Sequence, residues 1–187
     1  MRKATVQQVM VTANTINYVI LENNIAVYDA KIQFEVQQIS IILYAPTGEA
    51  CFSFCFSAKE MKKHFFPILK LKKIYKKKKL IAHIQKKKNN NYMIFFDNNK
   101  YVMYHVNFKN PVFKLPVYCN KMQAAFIEKK FISENAMHCY EVSAAKEDLL
   151  EIIILFVLYI DKVRYSFMKQ AQSEQVNYQL AFFSDEK

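Results

Sequence analysis

The stretch "DLLEIIILFVLYIDKV", residues 148–163, decides the fold, because nine of its residues, from Ile152 to Ile160, follow one another without a charge. A helix on a protein surface keeps a polar face, which this run does not provide. A helix that spans a bilayer needs about 20 apolar residues, whereas a run of about 10 to 14 is more typical of a helix buried in a protein core. The sequence therefore predicts a helix that is surrounded by protein on all sides.

Charged residues at both ends of this stretch set the bounds of the predicted helix at 147–163. Glu147 and Asp148 lie in its first turn, and Lys162 and Arg164 lie near its end. Acidic residues at the start of a helix and basic residues at its end interact favourably with the helix dipole. Two further acids would lie inside the helix. We expect both Glu151 and Asp161 to sit near the mouths of the surrounding structure or to pair with a neighbour such as Arg164, because an unpaired buried carboxylate is costly.

The length of 187 residues fits one domain, which can bury a continuous core without disulfides or metals. We expect this domain to cover residues 1–167, with "RYSF" at 164–167 as a candidate last strand and residues 168–187 as a C-terminal tail. The first twenty residues contain no continuous apolar segment of the signal-peptide kind, so the expected location is the cytoplasm.

Ahead of the helix the apolar residues alternate with polar ones, and this period of two predicts β-strands. The pattern is clear in "KIQFEVQ" (31–37), "CFSFCFS" (51–57) and "YVMYHVNF" (101–108). In each stretch one face is expected to be buried. The three predicted buried faces consist of Ile32, Phe34 and Val36, of Phe52, Phe54 and Phe56, and of Val102, Tyr104, Val106 and Phe108.

A repeated unit, in which an apolar residue and an aromatic residue precede a polar turn, predicts five β-hairpins. The unit occurs as "VYDAK" (27–31), "LYAPTGE" (43–49), "IYKKKK" (74–79), "FFDNNK" (95–100) and "VYCNK" (117–121). Because the chain contains a single Gly, turns that need a positive φ must use Asn98, Asn99 or Asn120.

One strand and turn for about every twelve residues gives roughly twelve strands before the helix. A barrel of that size can enclose a helix, which is about 10 to 12 Å across with its side chains. The predicted fold is therefore mainly β, a closed antiparallel barrel of about twelve strands around a central hydrophobic C-terminal α-helix.

The repeated hairpins and the late apolar helix ending in "YIDKV" resemble the Tubby C-terminal-like superfamily, which includes LURP-one-related and phospholipid scramblase-like proteins. The resemblance covers about residues 15–167 and implies a twelve-stranded barrel around a C-terminal helix. Tubby-type domains bind phosphoinositides through basic residues, and scramblase-like members act at membranes with calcium and cysteine acylation. The functional residues of these proteins have no counterparts here that can be matched position by position.

Few features of the sequence suggest catalysis, a cofactor or a metal. A single glycine, Gly48, excludes a glycine-rich phosphate loop, and no hydrolase signature is present. A catalytic pair of Glu151 and Asp161 would be separated by about 15 Å along the helix. We therefore expect no enzymatic activity and no cofactor.

The four cysteines are expected to be free thiols. Cys51 and Cys55 with His64, or Cys119 with Cys139 and His138, are imaginable zinc ligands, but these spacings fit no closed tetrahedral motif. The four histidines, His64, His83, His105 and His138, are scattered singly and are expected to be structural.

The positive charge is confined to one segment, residues 59–88, which holds thirteen lysines and one acid and has a net charge of +12. The rest of the chain has a net charge of −1. The candidate anion-binding residues are twelve of these thirteen lysines: Lys62, Lys63, Lys70, Lys72, Lys73, Lys76, Lys77, Lys78, Lys79, Lys86, Lys87 and Lys88.

Three interpretations of the lysine segment stay open at this point: a solvated face, an anionic membrane surface as partner, or nucleic acid or another acidic molecule as partner. The absence of arginine from the segment disfavours nucleic acid, because the guanidinium fork reads phosphate and guanine bidentately. The sequence thus predicts a binding module that associates peripherally with an anionic membrane surface, on its cytoplasmic side and without a transmembrane segment. Nucleic-acid binding and a structural or protein-interaction role are the alternatives.

Overall fold

The computed structural model describes residues 1–12, 14–36, 38–57, 72–76, 79–86, 91–104, 114–131 and 137–165. In these ranges the chain forms twelve strands followed by one helix, α1 (Glu147–Tyr165). The strands are β1 (Arg2–Val11), β2 (Thr15–Glu22), β3 (Ile25–Phe34), β4 (Gln38–Tyr44), β5 (Ala50–Ser57), β6 (Lys72–Lys76), β7 (Lys79–Lys86), β8 (Tyr92–Phe96), β9 (Asn99–Met103), β10 (Lys114–Cys119), β11 (Met122–Phe131) and β12 (His138–Ala144).

Each strand pairs antiparallel with the strand before it and the strand after it in the chain, and β1 also pairs with β12. Val6 of β1, for example, lies opposite Ile20 of β2 on one side and opposite Tyr140 of β12 on the other. The prediction of a mainly β fold with antiparallel strands and one C-terminal helix is confirmed.

Helix α1 extends two residues beyond the predicted end, to Tyr165. The proposed strand at 164–167 is therefore wrong for Arg164 and Tyr165, which are helical. The physical reason is that "DKVRY" contains neither Gly nor Pro, so nothing in it ends a helix. The predicted tail, 168–187, lies outside the described residues.

The nine residues from Ile152 to Ile160 are all buried. They share one apolar core with residues from all twelve described strands, such as Val6 on β1, Phe54 on β5 and Val117 on β10. This common core explains why the helix carries no polar face: its neighbours on every side are strand side chains. In the part of the chain that the structure describes, no helix is long and apolar enough to cross a membrane.

Four of the five predicted hairpins coincide with connections between consecutive paired strands: β4–β5, β6–β7, β8–β9 and β10–β11. The turn predicted at 29–31 is wrong, because these residues continue β3, and β2 and β3 are joined instead by Asn23 and Asn24. The alternation of exposed Asp29 with buried Ala30 is that of a strand, and the two charges of "DAK" gave it the appearance of a turn.

Among the described residues, most of those with a positive φ angle lie in turns that contain asparagine. This is expected for two-residue hairpin loops of types I′ and II′. Asn98 and Asn120 adopt this conformation as predicted, each next to a second residue of positive φ. Asn99 does not, because it already begins β9.

Two predicted buried faces need correction. Val36 lies beyond the end of β3 and is 98% exposed. On β9 the core side chains are Tyr101 and Met103, whereas Val102 is only half-buried and Tyr104 is exposed. Both alternating sets of "YVMY" are apolar, so periodicity could not tell which set faces the core. The side chains predicted to be buried at positions 56, 106 and 108 are not among those described.

Candidate functional site

Five of the twelve candidate lysines lie on one hairpin, hereafter the lysine hairpin, which consists of β6 and β7. Lys72, Lys73 and Lys76 belong to β6, and Lys79 and Lys86 belong to β7. Lys76 and Lys79 are paired at the end of this hairpin. The other seven lie outside the described residues: Lys62, Lys63, Lys70, Lys77, Lys78, Lys87 and Lys88.

Lys76 has specific partners rather than a purely solvated side chain. Its Nζ lies 3.5 Å from Oε2 of Glu151 on α1 and 4.8 Å from the ring centroid of Phe52 on β5. In the sequence, Lys76 was only one of the lysines of the segment 59–88, and its contact with the helix was not predicted. The 75 positions between Lys76 and Glu151 explain why a local pattern could not indicate the pair.

Glu151 is held from a second side by Tyr28 of β3, whose hydroxyl donates a hydrogen bond of 2.7 Å to Oε1. The Glu151 side chain is only 12% exposed, so these partners replace most of its water. Burial, followed by this hydrogen bond, raises the pKa of Tyr28 well above its ordinary value. Tyr28 therefore remains a neutral donor across the physiological pH range, and the Glu151 carboxylate is fixed in place.

Beside Glu151 lies an open groove of about 1040 Å³. Its apolar walls come from Phe52 on β5, Ile81 and Ala82 on β7, and Phe95 and Phe96 on β8. His83 also lines the groove, and its ring stacks on that of Phe95 with centroids 4.8 Å apart and an angle of 24° between the planes. The described lining of this open groove is mixed, with five apolar side chains and eight polar or charged ones.

The charged lining of the groove contains more acids than bases. Asp97, Asp148 and Glu151 face it together with Lys76 and Lys100. With His83 neutral, the described lining has a net charge of −1, whereas the whole chain carries +11.

At the other end of α1, Asp161 is the centre of a buried polar cluster. Its side chain is 2% exposed and accepts hydrogen bonds from the hydroxyls of Tyr18, at 2.5 Å, and Tyr140. Nδ1 of His138 lies 2.6 Å from Oδ1 of the same carboxylate. Of the two expectations for Asp161, a position near a mouth or pairing with a neighbour, the structure shows the pairing, and its partners are side chains of β2 and β12.

The electrostatics of this cluster favour the charged form of Asp161. Burial alone raises the pKa of Asp161, but the hydrogen bond and charge of His138, the charge of Lys129 and the Tyr140 hydrogen bond outweigh it, so the pKa lies below its ordinary value. Burial lowers the pKa of Lys129 to about 8, against the opposing effect of Asp161. The Lys129 ammonium also lies 5.6 Å from the ring centroid of Tyr140.

Sequence analysis missed this cluster, although a signal for it was available. Tyr18 shares the core face of β2 with Ile16 and Ile20, and Tyr140 shares the core face of β12 with Val142. A buried carboxylate requires donors, and tyrosines at core-facing positions are the natural source of them. His138, interpreted as a scattered structural histidine, is part of the same arrangement.

Of the two imagined sets of zinc ligands, the structure describes every member of one, Cys119, His138 and Cys139, and these do not form a group that could hold a metal ion. The four cysteines, all within the described residues, are free thiols, and Cys55 contacts the hydroxyl of Ser40 at 3.6 Å. No group of three or more His, Cys, Asp or Glu side chains in the described ranges could hold a metal ion. His64 and His105 lie outside these ranges.

No protein-family model, no curated protein and no solved structure matches this chain.

Proposed function

We propose that this protein is a non-enzymatic binding module that associates peripherally with an anionic membrane surface through its lysine-rich segment. The observation that carries the proposal is the lysine hairpin, which assembles five lysines of a +12 segment on two paired strands. Clustered lysines attract anionic lipid headgroups without the bidentate geometry that arginine offers to nucleic acid.

The proposal includes a Tubby-like architecture, a closed barrel around the central helix. It is supported by the pairing of β1 with both β2 and β12, and by the burial of α1 in a core to which all twelve described strands contribute. The resemblance found in the sequence adds a membrane role. On this proposal the protein works at the cytoplasmic face of the membrane and needs no cofactor.

The expected strength of association follows from the charge. Each lysine near an anionic surface contributes about 1 kcal/mol, so about half of the segment's lysines together contribute about 6 kcal/mol. This corresponds to about four decades of affinity. Binding of this origin is peripheral, and it weakens as salt screens the charges.

The test is co-sedimentation with phosphatidylserine–phosphatidylcholine vesicles and with pure phosphatidylcholine vesicles at low and high salt. We expect the wild-type protein to bind only the anionic vesicles, and only at low salt. The variant Lys77→Glu/Lys78→Glu/Lys79→Glu should lose most of this binding. Lys76 is left unchanged, because a glutamate there would face the Glu151 carboxylate and disturb the helix.

The matched control, Lys3→Glu/Lys121→Glu/Lys146→Glu, changes the net charge equally at exposed positions outside the lysine segment. It should retain most of the binding. Equal losses in the two triple variants, or no binding by the wild-type protein, would contradict the proposal. Retention of mixed RNA or DNA with equal loss in the hairpin variant would favour the nucleic-acid alternative.

A further inference from the structure

The groove beside Glu151 already holds an organic cation, which is supplied by the protein itself. The Lys76 ammonium lies between the Phe52 ring, at 4.8 Å, and the Glu151 carboxylate, at 3.5 Å. We call this pair of groups, Phe52 and Glu151, the ammonium seat. An aromatic face with a carboxylate beside it is a favourable environment for an ammonium or guanidinium group, because both offer negative potential.

The seat is fixed before any ligand arrives. Phe52 is buried, and the carboxylate of Glu151 is oriented by the Tyr28 hydroxyl, so neither group has to be reorganised on binding. Lys76 is different, because it is a long side chain, 44% exposed, at the end of a strand. The Lys76 side chain can turn to solvent, so a competing cation can take its place while the Glu151 carboxylate keeps a cationic partner.

The rest of the groove fits a cation that also has an apolar part. Asp97 and Asp148 add negative charge along the lining, while Ile81 and the stacked pair of His83 and Phe95 provide an apolar platform. The carboxylate of Glu151 in the seat favours a cation over an anion at this position.

We propose that the groove binds a small organic ammonium ion with an apolar or aromatic group. The ammonium of this ligand replaces that of Lys76 in the seat, and its apolar part lies against Ile81 and the His83–Phe95 pair. Lys76 is the built-in occupant that keeps the seat filled when no ligand is bound. This inference can be tested separately from the membrane proposal, since it needs no lipid and the hairpin variant that tests membrane binding leaves Lys76 unchanged.

The test is isothermal titration with three probes of similar shape, namely 2-phenylethylammonium, the neutral 2-phenylethanol and the anionic phenylacetate. We expect binding in the order cation, neutral compound, anion. Glu151→Gln should weaken binding of the cation about tenfold or more, because a charged hydrogen-bond partner is lost. Lys76→Met should strengthen it about two- to fivefold, because the occupant of the seat is removed.

Lys100→Met is the matched control, since Lys100 lines the same groove and its removal changes the net charge equally. We expect it to strengthen cation binding less than Lys76→Met does. Melting temperatures of the variants establish that each is folded. The proposal is overturned if neither the wild-type protein nor Lys76→Met binds the cation, if phenylacetate binds better, if Glu151→Gln binds the cation equally well, or if the two lysine variants behave alike.

Discussion

The two carboxylates inside helix α1 lie ten residues apart and have opposite surroundings. Asp161 is enclosed by Tyr18, Tyr140 and His138, whereas Glu151 has one tyrosine, one lysine and an open groove beside it. A carboxylate enclosed by donors on the strands fixes the helix in its place. A carboxylate whose cationic partner is half-exposed can exchange that partner. The Asp161 end of the helix is therefore suited to stabilising the fold, and the Glu151 end is suited to binding.

The largest effect is expected when a carboxylate is placed in the middle of the helix, where the surrounding core is apolar. Ile154 is completely buried in the apolar core. We expect Ile154→Asp to cost more than about 4 kcal/mol, which is most of the stability of a domain near the lower end of the typical range of about 5 to 15 kcal/mol. The measurement is soluble yield followed by urea unfolding. Ile154→Leu is the control and should cost less than about 1.5 kcal/mol. A soluble Ile154→Asp variant with an unchanged melting temperature would mean that the helix is not enclosed.

The next largest effect comes from removing each carboxylate in turn. Asp161→Ala leaves two tyrosine hydroxyls and His138 facing an apolar core, and we expect a loss of about 3 to 5 kcal/mol. Glu151→Ala should cost only about 1 to 2 kcal/mol, because Lys76 can turn to solvent. Urea unfolding of the two variants at neutral pH gives the comparison, and equal losses would contradict it.

The pH dependence of the unfolding free energy tests whether the charge of Asp161 causes the stabilisation expected of this residue. The pKa of Asp161 is lower in the folded protein than its ordinary value near 4, so its contribution to stability is fully present above that value. The contribution is lost as the pH falls through the lowered pKa. The difference in unfolding free energy between the wild-type protein and Asp161→Asn should therefore shrink as the pH falls below about 4. A difference that does not change down to pH 2 would show that the charge is not responsible.

The sequence predicted those features of the fold that produce a local pattern of apolar and polar residues. The period of two before residue 147 and the uncharged run from Ile152 to Ile160 reflect the burial of one strand face and of a whole helix. Local pattern failed where two structures produce the same pattern. At 29–31 a strand with outward charges resembled a turn, and in β9 both alternating faces were apolar.

The candidate site was less accessible to the sequence, because its contacts are long-range. Tyr18 and Asp161 are 143 positions apart, and Tyr28 and Glu151 are 123 positions apart. Only the register of the strands around the helix brings these groups together. The lysine segment, by contrast, is visible in the sequence as composition, but composition could not show that Lys76 contacts Glu151.

The smallest and sharpest test removes one hydroxyl group at each end of the helix. Tyr18→Phe deletes a 2.5 Å hydrogen bond to the buried Asp161, and we expect a loss of about 1.5 to 3 kcal/mol, as for other hydrogen bonds to buried charges. Tyr28→Phe deletes the corresponding donor to Glu151, but that carboxylate keeps Lys76 and lies beside the open groove, so we expect a loss of about 0.5 to 1.5 kcal/mol. Both substitutions remove the same atom from the same residue type, so their difference in urea unfolding isolates the surroundings of the two carboxylates. If Tyr28→Phe is the more damaging variant, the Glu151 end stabilises the fold at least as strongly as the Asp161 end, and the division between them is wrong.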